Sequence, residues 1–279
     1  MDLARTLDAL GVITAGDEPL PGAMSGATVV AGTRAGRAVV VKIVPLTSDL
    51  DRARSERELA MQPRLGGLAP RLLDQTHVEE RSVLVFERLV PPPPADQWGD
   101  QDWMTLVDLL VRVHSSPTDG LVPLPPPDLL LPDDPEVVTF LPDEDDQRLL
   151  ASALAALDPA DSLPPTLVHG DCHVDNVVLD EDSMVLADWA ESGLGDPARD
   201  LAFVLARATP VGARPPVEAM LDRYAGARGL DRALVERAVR RQQFEAIALQ
   251  YPLYLPYLSH EAVERLREEF RALAGRIRT

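Results

Sequence analysis

Four consecutive prolines, residues 91–94, separate two parts of the sequence with different residue patterns. The residues before them form β-rich runs with turn signals, and the residues after them follow mainly helical periodicities. A proline run lacks backbone N–H donors and cannot continue a strand, so it is typical of a stiff connector. We therefore predict two lobes, residues 1–90 and 91–279. The predicted fold class is α+β, with a small β-rich N-lobe and a larger, mainly helical C-lobe.

The first lobe contains the clearest strand patterns. Residues 25–45 form two β-rich runs around a Gly-containing turn, which predicts a hairpin. Residues 48–65 place charged and apolar side chains on different faces of a helix. Residues 82–90 form a nearly continuous apolar run, which indicates a strand buried on both faces.

The second lobe is predicted to be mainly helical. Helices are expected over residues 103–117, 147–157, 216–228, 231–249 and 260–276. Residues 118–147 contain many prolines and acidic residues and are predicted to be irregular. Residues 166–203 are expected to form short strands and turns.

The charge balance argues against nucleic acid and membrane partners. The chain has 27 basic and 45 acidic residues, a net charge of −18. Such a surface repels nucleic acid and anionic lipid and attracts cations. No apolar run approaches the roughly 20 residues that cross a bilayer. The single cysteine, Cys172, excludes an internal disulfide and fits a reducing compartment, so we expect a cytoplasmic protein. We also expect a monomer or a homodimer.

The polar side chains that can carry chemistry concentrate after residue 165. Asp171 follows an apolar run, and Asn176 and Asp188 flank two short β-type runs. If that hairpin is symmetric about Asp182, Asn176 and Asp188 face each other with Cβ atoms about 4.5–5.5 Å apart. Oxygen ligands of this kind suit Mg²⁺ that also binds phosphate. Asp-x-x-x-x-Asn followed by Asp is also the spacing of the base and metal ligands in protein-kinase-like folds, which predicts phosphoryl transfer.

The segments HGDCHVDN and VLADW…GDPARDLA resemble the signature blocks of the aminoglycoside phosphotransferase and choline-kinase-like family. That family shows His-Gly-Asp-x-His-x-x-Asn, then Ile-Asp-Trp, then Gly-Asp-Pro-x-x-Asp. The resemblance implies a protein-kinase-like bilobal fold, with Asp171 as the catalytic base and Asn176 and Asp188 as magnesium ligands. It also implies that four residues brace the catalytic loop and the turn that follows: His169, His173, Asp196 and Asp200.

Lys42 is the only lysine among the 27 basic residues, and it lies near the end of the strand-like run AVVVKIV. A compact ammonium and a planar guanidinium are not interchangeable, so this position is singled out in an arginine-dominated chain. Lys42 resembles the strand lysine that kinases place on the α- and β-phosphates of the nucleotide. Its partner is expected to be a carboxylate on the next helix, Glu58, with Glu56 as the alternative.

The resemblance implies ATP and Mg²⁺ as cofactors, with GTP left open. Ser25 and Gly26 belong to a segment similar to the family's phosphate-covering loop. Glu87 and Leu89 belong to a segment similar to the hinge whose backbone receives the purine. Because backbone contacts leave little trace in a sequence, the identity of the purine stays open at this point.

The acceptor is predicted to be a small cationic molecule. Asp175 stands where a small residue is expected before the loop asparagine, and it adds negative charge there. The residues predicted to contact the acceptor are Asp134, Asp143, Glu144, Asp175 and Glu191. Within the family this favours an antibiotic with several amino groups, either an aminoglycoside or a basic cyclic peptide of the capreomycin/viomycin type. The alternatives are a metabolic kinase for choline, a sugar or an amino alcohol, and a kinase of a nucleoside antibiotic.

Three other classes fit the sequence less well. A non-catalytic nucleotide-binding regulator is expected to lack at least one of the residues that act as base, metal ligand or phosphate contact. This chain has all four of them: Asp171, Asn176, Asp188 and Lys42. A protein kinase expects His-Arg-Asp and Asp-Phe-Gly, whereas Gly170 and Trp189 occupy the diagnostic places. A hydrolase built on Cys172 and His173 is disfavoured because adjacent side chains on an extended chain point to opposite faces.

Overall fold

The computed structural model describes residues 3–14, 26–181 and 183–277. The chain divides into two units, each discontinuous in sequence. Unit one comprises Met1–Pro92 and Asp175–Ser192, and unit two comprises Pro93–Val174 and Gly193–Thr279. Each unit has a hydrophobic core of its own.

Unit one is built around an antiparallel sheet of five strands, in the order β1 (Val12–Thr14), β2 (Thr28–Arg34), β3 (Arg37–Pro45), β5 (Arg81–Glu87) and β4 (Leu72–Val78). Its described elements are α1 Leu3–Ala9, β1 Val12–Thr14, β2 Thr28–Arg34, β3 Arg37–Pro45, α2 Asp49–Leu65, β4 Leu72–Val78, β5 Arg81–Glu87, β7 Val177–Asp180 and β8 Ser183–Leu186. The predicted hairpin between β2 and β3 is present, with Arg34 paired to Arg37. Its two loop residues, Ala35 and Gly36, both have positive φ, which is the turn geometry that matches the twist of paired strands.

The alternation of side chains along β3 determines where its lysine lies. Val39, Val41 and Ile43 are buried in the core of unit one. Successive strand residues point to opposite faces, so Lys42 lies on the other face of the sheet. Helix α2 begins after Ser48, whose side chain accepts a hydrogen bond from the N–H of Asp51 in a capping box.

The β7–β8 hairpin has a different register from the one expected. Asp180 pairs with Ser183, so the connection has two residues, Glu181 and Asp182, and Ser183 belongs to β8. The expected symmetry about Asp182 is therefore wrong by one residue. Asn176 lies across from Ala187, whose N–H donates to the Asn176 carbonyl at 2.8 Å, and Asp188 is the next residue along the chain.

Unit two is mainly helical. Its described elements are α3 Asp100–His114, α4 Pro135–Phe140, α5 Glu144–Ala156, β6 Thr166–Val168, β9 Gly193–Gly195, α6 Ala198–Ala208, α7 Val217–Arg228, α8 Arg232–Leu249 and α9 His260–Ile277. Helix α6 packs on α8, α3 on α7, and α9 on both α5 and α8. Residues 118–147 were expected to be irregular, but they contain α4 and the beginning of α5.

A small two-stranded sheet of unit two lies next in the chain to the candidate site. Strands β6 and β9 pair antiparallel, with Val168 across from Gly193. A side chain at Gly193 would bring its Cβ within 2.8 Å of the Val122 carbonyl oxygen, so this close approach requires glycine. Within the described part of the chain, none of the helices combines the length and apolar character of a membrane span.

Candidate active site

Lys42 joins two carboxylates in unit one. Its Nζ donates to Oε2 of Glu58 at 2.8 Å and to Oδ1 of Asp188 at 2.8 Å. Of the two glutamates considered, Glu58 on α2 makes the contact, while Glu56 is exposed. Burial lowers the pKa of Lys42, but the charges of Glu58 and Asp188 outweigh it and raise the pKa above its ordinary value. The side chain is therefore an ammonium at neutral pH.

The β7–β8 hairpin brings Asn176 and Asp188 to the same end of two paired strands. Asp188 has a left-handed backbone conformation, φ 61° and ψ 72°, which is uncommon for a residue with a side chain. Such a conformation persists only where neighbouring contacts hold it, and it is frequent at functional sites. In the described parts of the chain, no three His, Cys, Asp or Glu side chains form a metal-binding group.

The segment after β5, which is predicted to be the purine hinge, has most of its backbone N–H groups in hydrogen bonds. The N–H of Glu87 donates to Arg71 O, the N–H of Arg88 donates to Ala38 O, and Val90 exchanges two hydrogen bonds with Leu179. Between them, the N–H of Leu89 has no hydrogen-bond partner among the described residues. Hydrogen bonding therefore leaves this donor available to a ligand.

Two residues expected to cover the phosphates fall at the edge of what is described. Gly26 has a φ of 72°, a conformation that glycine adopts readily. Ser25 lies outside the described residues.

In unit two, Asp200 holds the backbone on the N-terminal side of Asp171. Its carboxylate accepts the N–H of His169 at 2.7 Å and the N–H of Gly170 at 2.9 Å. Gly170 has a φ of 82°, so the turn depends on glycine here. Asp200 is fully buried, and burial would raise its pKa, but the hydrogen bonds and charges of His114 and His169 lower it overall. A charged carboxylate therefore anchors this loop from within.

Asp171 is partly exposed and remains ionised. His173 Nε2 lies 3.6 Å from Asp171 Oδ2. Burial would raise the pKa of Asp171, but the close contact and charge of His173, with the charges of His169 and Arg207, lower it below its usual value. The carboxylate can therefore accept a proton at neutral pH, which is what a general base requires.

Two buried residues that were not singled out from the sequence extend this loop's support. The ring nitrogens of His114 hydrogen bond to Asp200 Oδ2 at 3.1 Å and to the Tyr224 hydroxyl oxygen at 2.7 Å. Both His114 and Tyr224 are almost completely buried. The position of His114 at the end of α3, in the segment VHSSP, was a visible signal, but Tyr224 lies 110 residues away and no local pattern marks it.

Asp196 shapes the start of α6. Its carboxylate accepts the N–H of Ala198 at 2.9 Å and the side-chain amide of Gln242 at 2.9 Å. Burial raises the pKa of Asp196, and these hydrogen bonds offset the effect only in part. Cys172 is completely buried, and burial raises the pKa of its thiol well above the usual range, so it is a poor nucleophile.

The acidic residues expected to contact an acceptor have different surroundings. Asp175 is exposed. Glu191 contacts Arg54 and lies 3.5 Å from Arg57, so two guanidinium groups on α2 balance its charge.

The other three lie at the beginnings of α4 and α5 in unit two. The carboxylate of Asp134 accepts the N–H of Leu131 at 2.7 Å. Asp143 and Glu144 are 73% and 93% exposed, respectively. Acidic residues are favoured in the first turn of a helix, so part of this clustering has a structural cause.

Comparison with protein families identifies one match that spans most of the chain. Residues 17–235 match the model of APH, described as the phosphotransferase enzyme family. No curated protein is similar enough in sequence to count as a match.

Solved structures share the fold over nearly the whole chain. An amicoumacin kinase in complex with AMP-PNP, Ca²⁺ and Ami has a TM-score of 0.65 and 16% identity, covering 98% of this chain and 94% of that one. A microcompartment-associated aminopropanol kinase has a TM-score of 0.66 and 15% identity, with the same coverage of both chains. A type VIII aminoglycoside-3′-phosphotransferase has a TM-score of 0.55 and 23% identity, covering 96% and 98%. The predicted α+β, protein-kinase-like fold class is confirmed.

Proposed function

Because this chain belongs to the phosphotransferase enzyme family and is a phosphotransferase with an alcohol group as acceptor, we propose that it transfers the γ-phosphate of ATP to a hydroxyl of a small cationic molecule. The observation that carries this proposal is the contact of Lys42 with both Glu58 and Asp188, each at 2.8 Å. An isolated buried ammonium is costly, so a lysine held between two carboxylates has a specific task.

The nucleotide is assigned to the residues of unit one. Lys42 contacts the α- and β-phosphates, and Glu58 holds the ammonium in place. The N–H of Leu89, which has no partner among the described residues, receives the purine together with the backbone of Glu87. Ser25 and Gly26 cover the phosphates. Nothing in this backbone arrangement selects adenine over guanine, so competition between ATP and GTP decides the preference.

Asn176 and Asp188 would hold Mg²⁺. Their donor set, one amide oxygen and one carboxylate, is suited to a hard cation that takes its remaining ligands from phosphate and water. The ion would neutralise charge on the transferring phosphoryl group. The left-handed backbone at Asp188 supports this assignment, because strain of that kind is common at ligand-binding residues.

Asp171 is assigned as the general base. It accepts the proton of the acceptor hydroxyl while the acceptor oxygen forms a bond to the γ-phosphorus and the bond to the leaving oxygen of ADP breaks. Its lowered pKa keeps it ionised for this step. His169, Asp200 and His173 keep its loop in position, and Asp196 holds the turn before α6.

The cationic acceptor is supported by the net charge of −18 and by the exposed carboxylates of Asp175, Asp143 and Glu144. Within this proposal the acceptor is an antibiotic with several amino groups, and its phosphorylation confers resistance. The similarity to an aminopropanol kinase is as high as that to an amicoumacin kinase, so an amino alcohol of metabolism is the second candidate.

A substrate screen tests this proposal. Aminoglycosides, capreomycin-type peptides, nucleoside antibiotics, choline and aminopropanol are incubated with labelled ATP and Mg²⁺, and phosphorylated products are counted. We expect transfer to a multiply cationic acceptor. We expect Asp171→Ala to reduce turnover at least about 10²-fold, because a general base contributes that much or more.

Asp128→Asn is the control for this screen, because Asp128 is an exposed carboxylate of the same unit. It should turn over like the wild type. Undiminished transfer by Asp171→Ala would contradict the assignment of the base, and transfer to choline or aminopropanol alone would favour the metabolic candidate.

A further inference from the structure

Helix α2 directs three neighbouring charged side chains toward the segment around Asp188. Arg54, Arg57 and Glu58 are spaced three and four residues apart, so they lie on one face of the helix. Glu58 reaches Asp188 indirectly through Lys42. The two arginines make direct contacts with residues that follow Asp188 in the chain.

The arginine contacts converge on a single turn. Residues Trp189–Glu191 form a 3-10 turn that begins immediately after Asp188. Arg57 Nη1 donates to the Ala190 carbonyl at 3.1 Å and lies 3.5 Å from the Glu191 carboxylate. Arg54 contacts the same carboxylate as an ion pair. Glu191 is 29% exposed, so the cluster is partly shielded from water.

The turn is also held by Trp189. Its indole N–H donates to Leu186 O at 2.7 Å, and its carbonyl accepts the Ser192 hydroxyl at 2.7 Å. Trp189 is 1% exposed. The tryptophan therefore anchors the turn to its own hairpin, and the two arginines link the turn to α2.

These contacts explain how the conformation of Asp188 is maintained. Its left-handed backbone is unfavourable for a residue with a side chain and persists only where surrounding contacts hold it. Lys42 fixes its carboxylate, and Glu191 fixes the turn that begins one residue later. We propose that Glu191 is a positioning residue that, through Arg54 and Arg57, holds Asp188 in the orientation in which it binds a divalent cation.

This inference rests on the proposed function, in which Asp188 holds Mg²⁺. It differs from the acceptor contact expected from the sequence, because a carboxylate already balanced by two guanidinium groups attracts an acceptor ammonium weakly. The two roles predict changes in two different measured quantities. A positioning role changes the binding of the metal–nucleotide complex, and an acceptor role changes the KM of the acceptor.

Glu191→Gln removes the charge while keeping the size of the side chain. ATP binding is measured by calorimetry, once with Mg²⁺ and once with EDTA. We expect the variant to bind ATP about 10-fold more weakly in Mg²⁺, which is the effect of losing a residue that orients a metal ligand. In EDTA we expect no change. Arg54→Met combined with Arg57→Met should give the same loss, and adding Glu191→Gln to that pair should give no further loss.

Glu80→Gln is the matched control, since Glu80 is an exposed glutamate of unit one, and it should bind as the wild type does. Thermal unfolding of each variant shows that it is folded, and the arginine variants test the same contact if Glu191→Gln unfolds. Wild-type binding by Glu191→Gln in Mg²⁺, or losses that add in the triple variant, would overturn the positioning role. If the wild type itself binds no ATP with Mg²⁺, the proposed function fails as well, which is a different result.

Discussion

At the scale of single residues, the ammonium of Lys42 is the group whose loss can be followed most directly. Lys42→Met leaves Glu58, which is 2% exposed, without its partner. Removing one member of a buried ion pair typically lowers the free energy of unfolding by roughly 3–5 kcal/mol. We expect a loss of that size in urea unfolding, together with loss of nucleotide binding.

A second variant separates stability from function at this site. Lys42→Met combined with Glu58→Met replaces the pair by apolar side chains, and we expect it to regain much of the lost stability. Nucleotide binding should stay lost, because no ammonium is present. Equal stability of Lys42→Met and the wild type would contradict the buried pair.

His173 controls the protonation of Asp171. In His173→Leu the contact and charge of His173 are gone, so the pKa of Asp171 rises, and only the charges of His169 and Arg207 still oppose the effect of burial. Since the base works in its ionised form, activity is lost as pH falls through this pKa. We therefore expect the acid limb of kcat/KM to move to higher pH in the variant.

Phe203→Leu is the control for this pH profile, because the Phe203 ring packs edge-on against His173 and carries neither a charge nor a hydrogen-bonding group. Its acid limb should stay where the wild type has it. An unmoved limb in His173→Leu would show that another group sets the pH dependence.

At the scale of elements, three helices of unit two are connected by one chain of hydrogen bonds. His114 on α3 is the middle residue of this chain of hydrogen bonds and contacts Tyr224 on α7 and Asp200 on α6. Tyr224→Phe leaves one buried nitrogen of His114 without its partner, at a cost of about 1–3 kcal/mol in unfolding free energy. Because Asp200 holds the loop of Asp171, kcat should fall by as much as about 10²-fold.

The nucleotide affinity of Tyr224→Phe should match the wild type, because the residues assigned to the nucleotide belong to unit one. Tyr257→Phe, a change at a tyrosine that is 77% exposed, should affect neither stability nor kcat. A kcat that stays at the wild-type value in Tyr224→Phe would mean that the hydrogen-bonded chain has no influence on the base.

The elements that the sequence predicts well are those with a strong local signal. The alternation of Val39, Val41 and Ile43, with Gly36 in the loop, predicts the β2–β3 hairpin and places Lys42 on the opposite face. Glu58, predicted ahead of Glu56 as the partner of Lys42, is the carboxylate on α2 that contacts it. Periodicity and turn chemistry are enough for features of this kind.

Other features depend on information that local patterns do not contain. Glu181, Asp182 and Ser183 are all polar turn formers, so the sequence does not distinguish a two-residue from a three-residue connection. The predicted pairing of Asn176 with Asp188 is therefore off by one residue. The contact between His114 and Tyr224 spans 110 residues and arises only from helix packing. The ion pairs of Glu191 likewise come from the packing of α2, so the sequence predicts a contact of Glu191 with the acceptor instead.

At the scale of the whole molecule, the net charge of −18 predicts how ionic strength affects the reaction. A strongly acidic protein concentrates cationic ligands near its surface, and salt screens this attraction beyond about 10 Å at 0.1 M. We expect the KM of a multiply cationic acceptor to rise with added salt. A neutral nucleoside acceptor gives the comparison, and its KM should change little. Equal salt dependence for both would remove the charge argument for a cationic acceptor.

The discontinuity of unit one has a consequence for how this gene can change. A recombination event that replaced residues 1–92 alone would bring in a foreign α2 with new residues in place of Arg54 and Arg57, while Asp188 and Glu191 stayed behind. Such a hybrid would lose the matched ion pairs, whereas an exchange that also carried Asp175–Ser192 would keep them. Among descendants of this gene, substitutions at Arg54, Arg57 and Glu191 should therefore be inherited as a set.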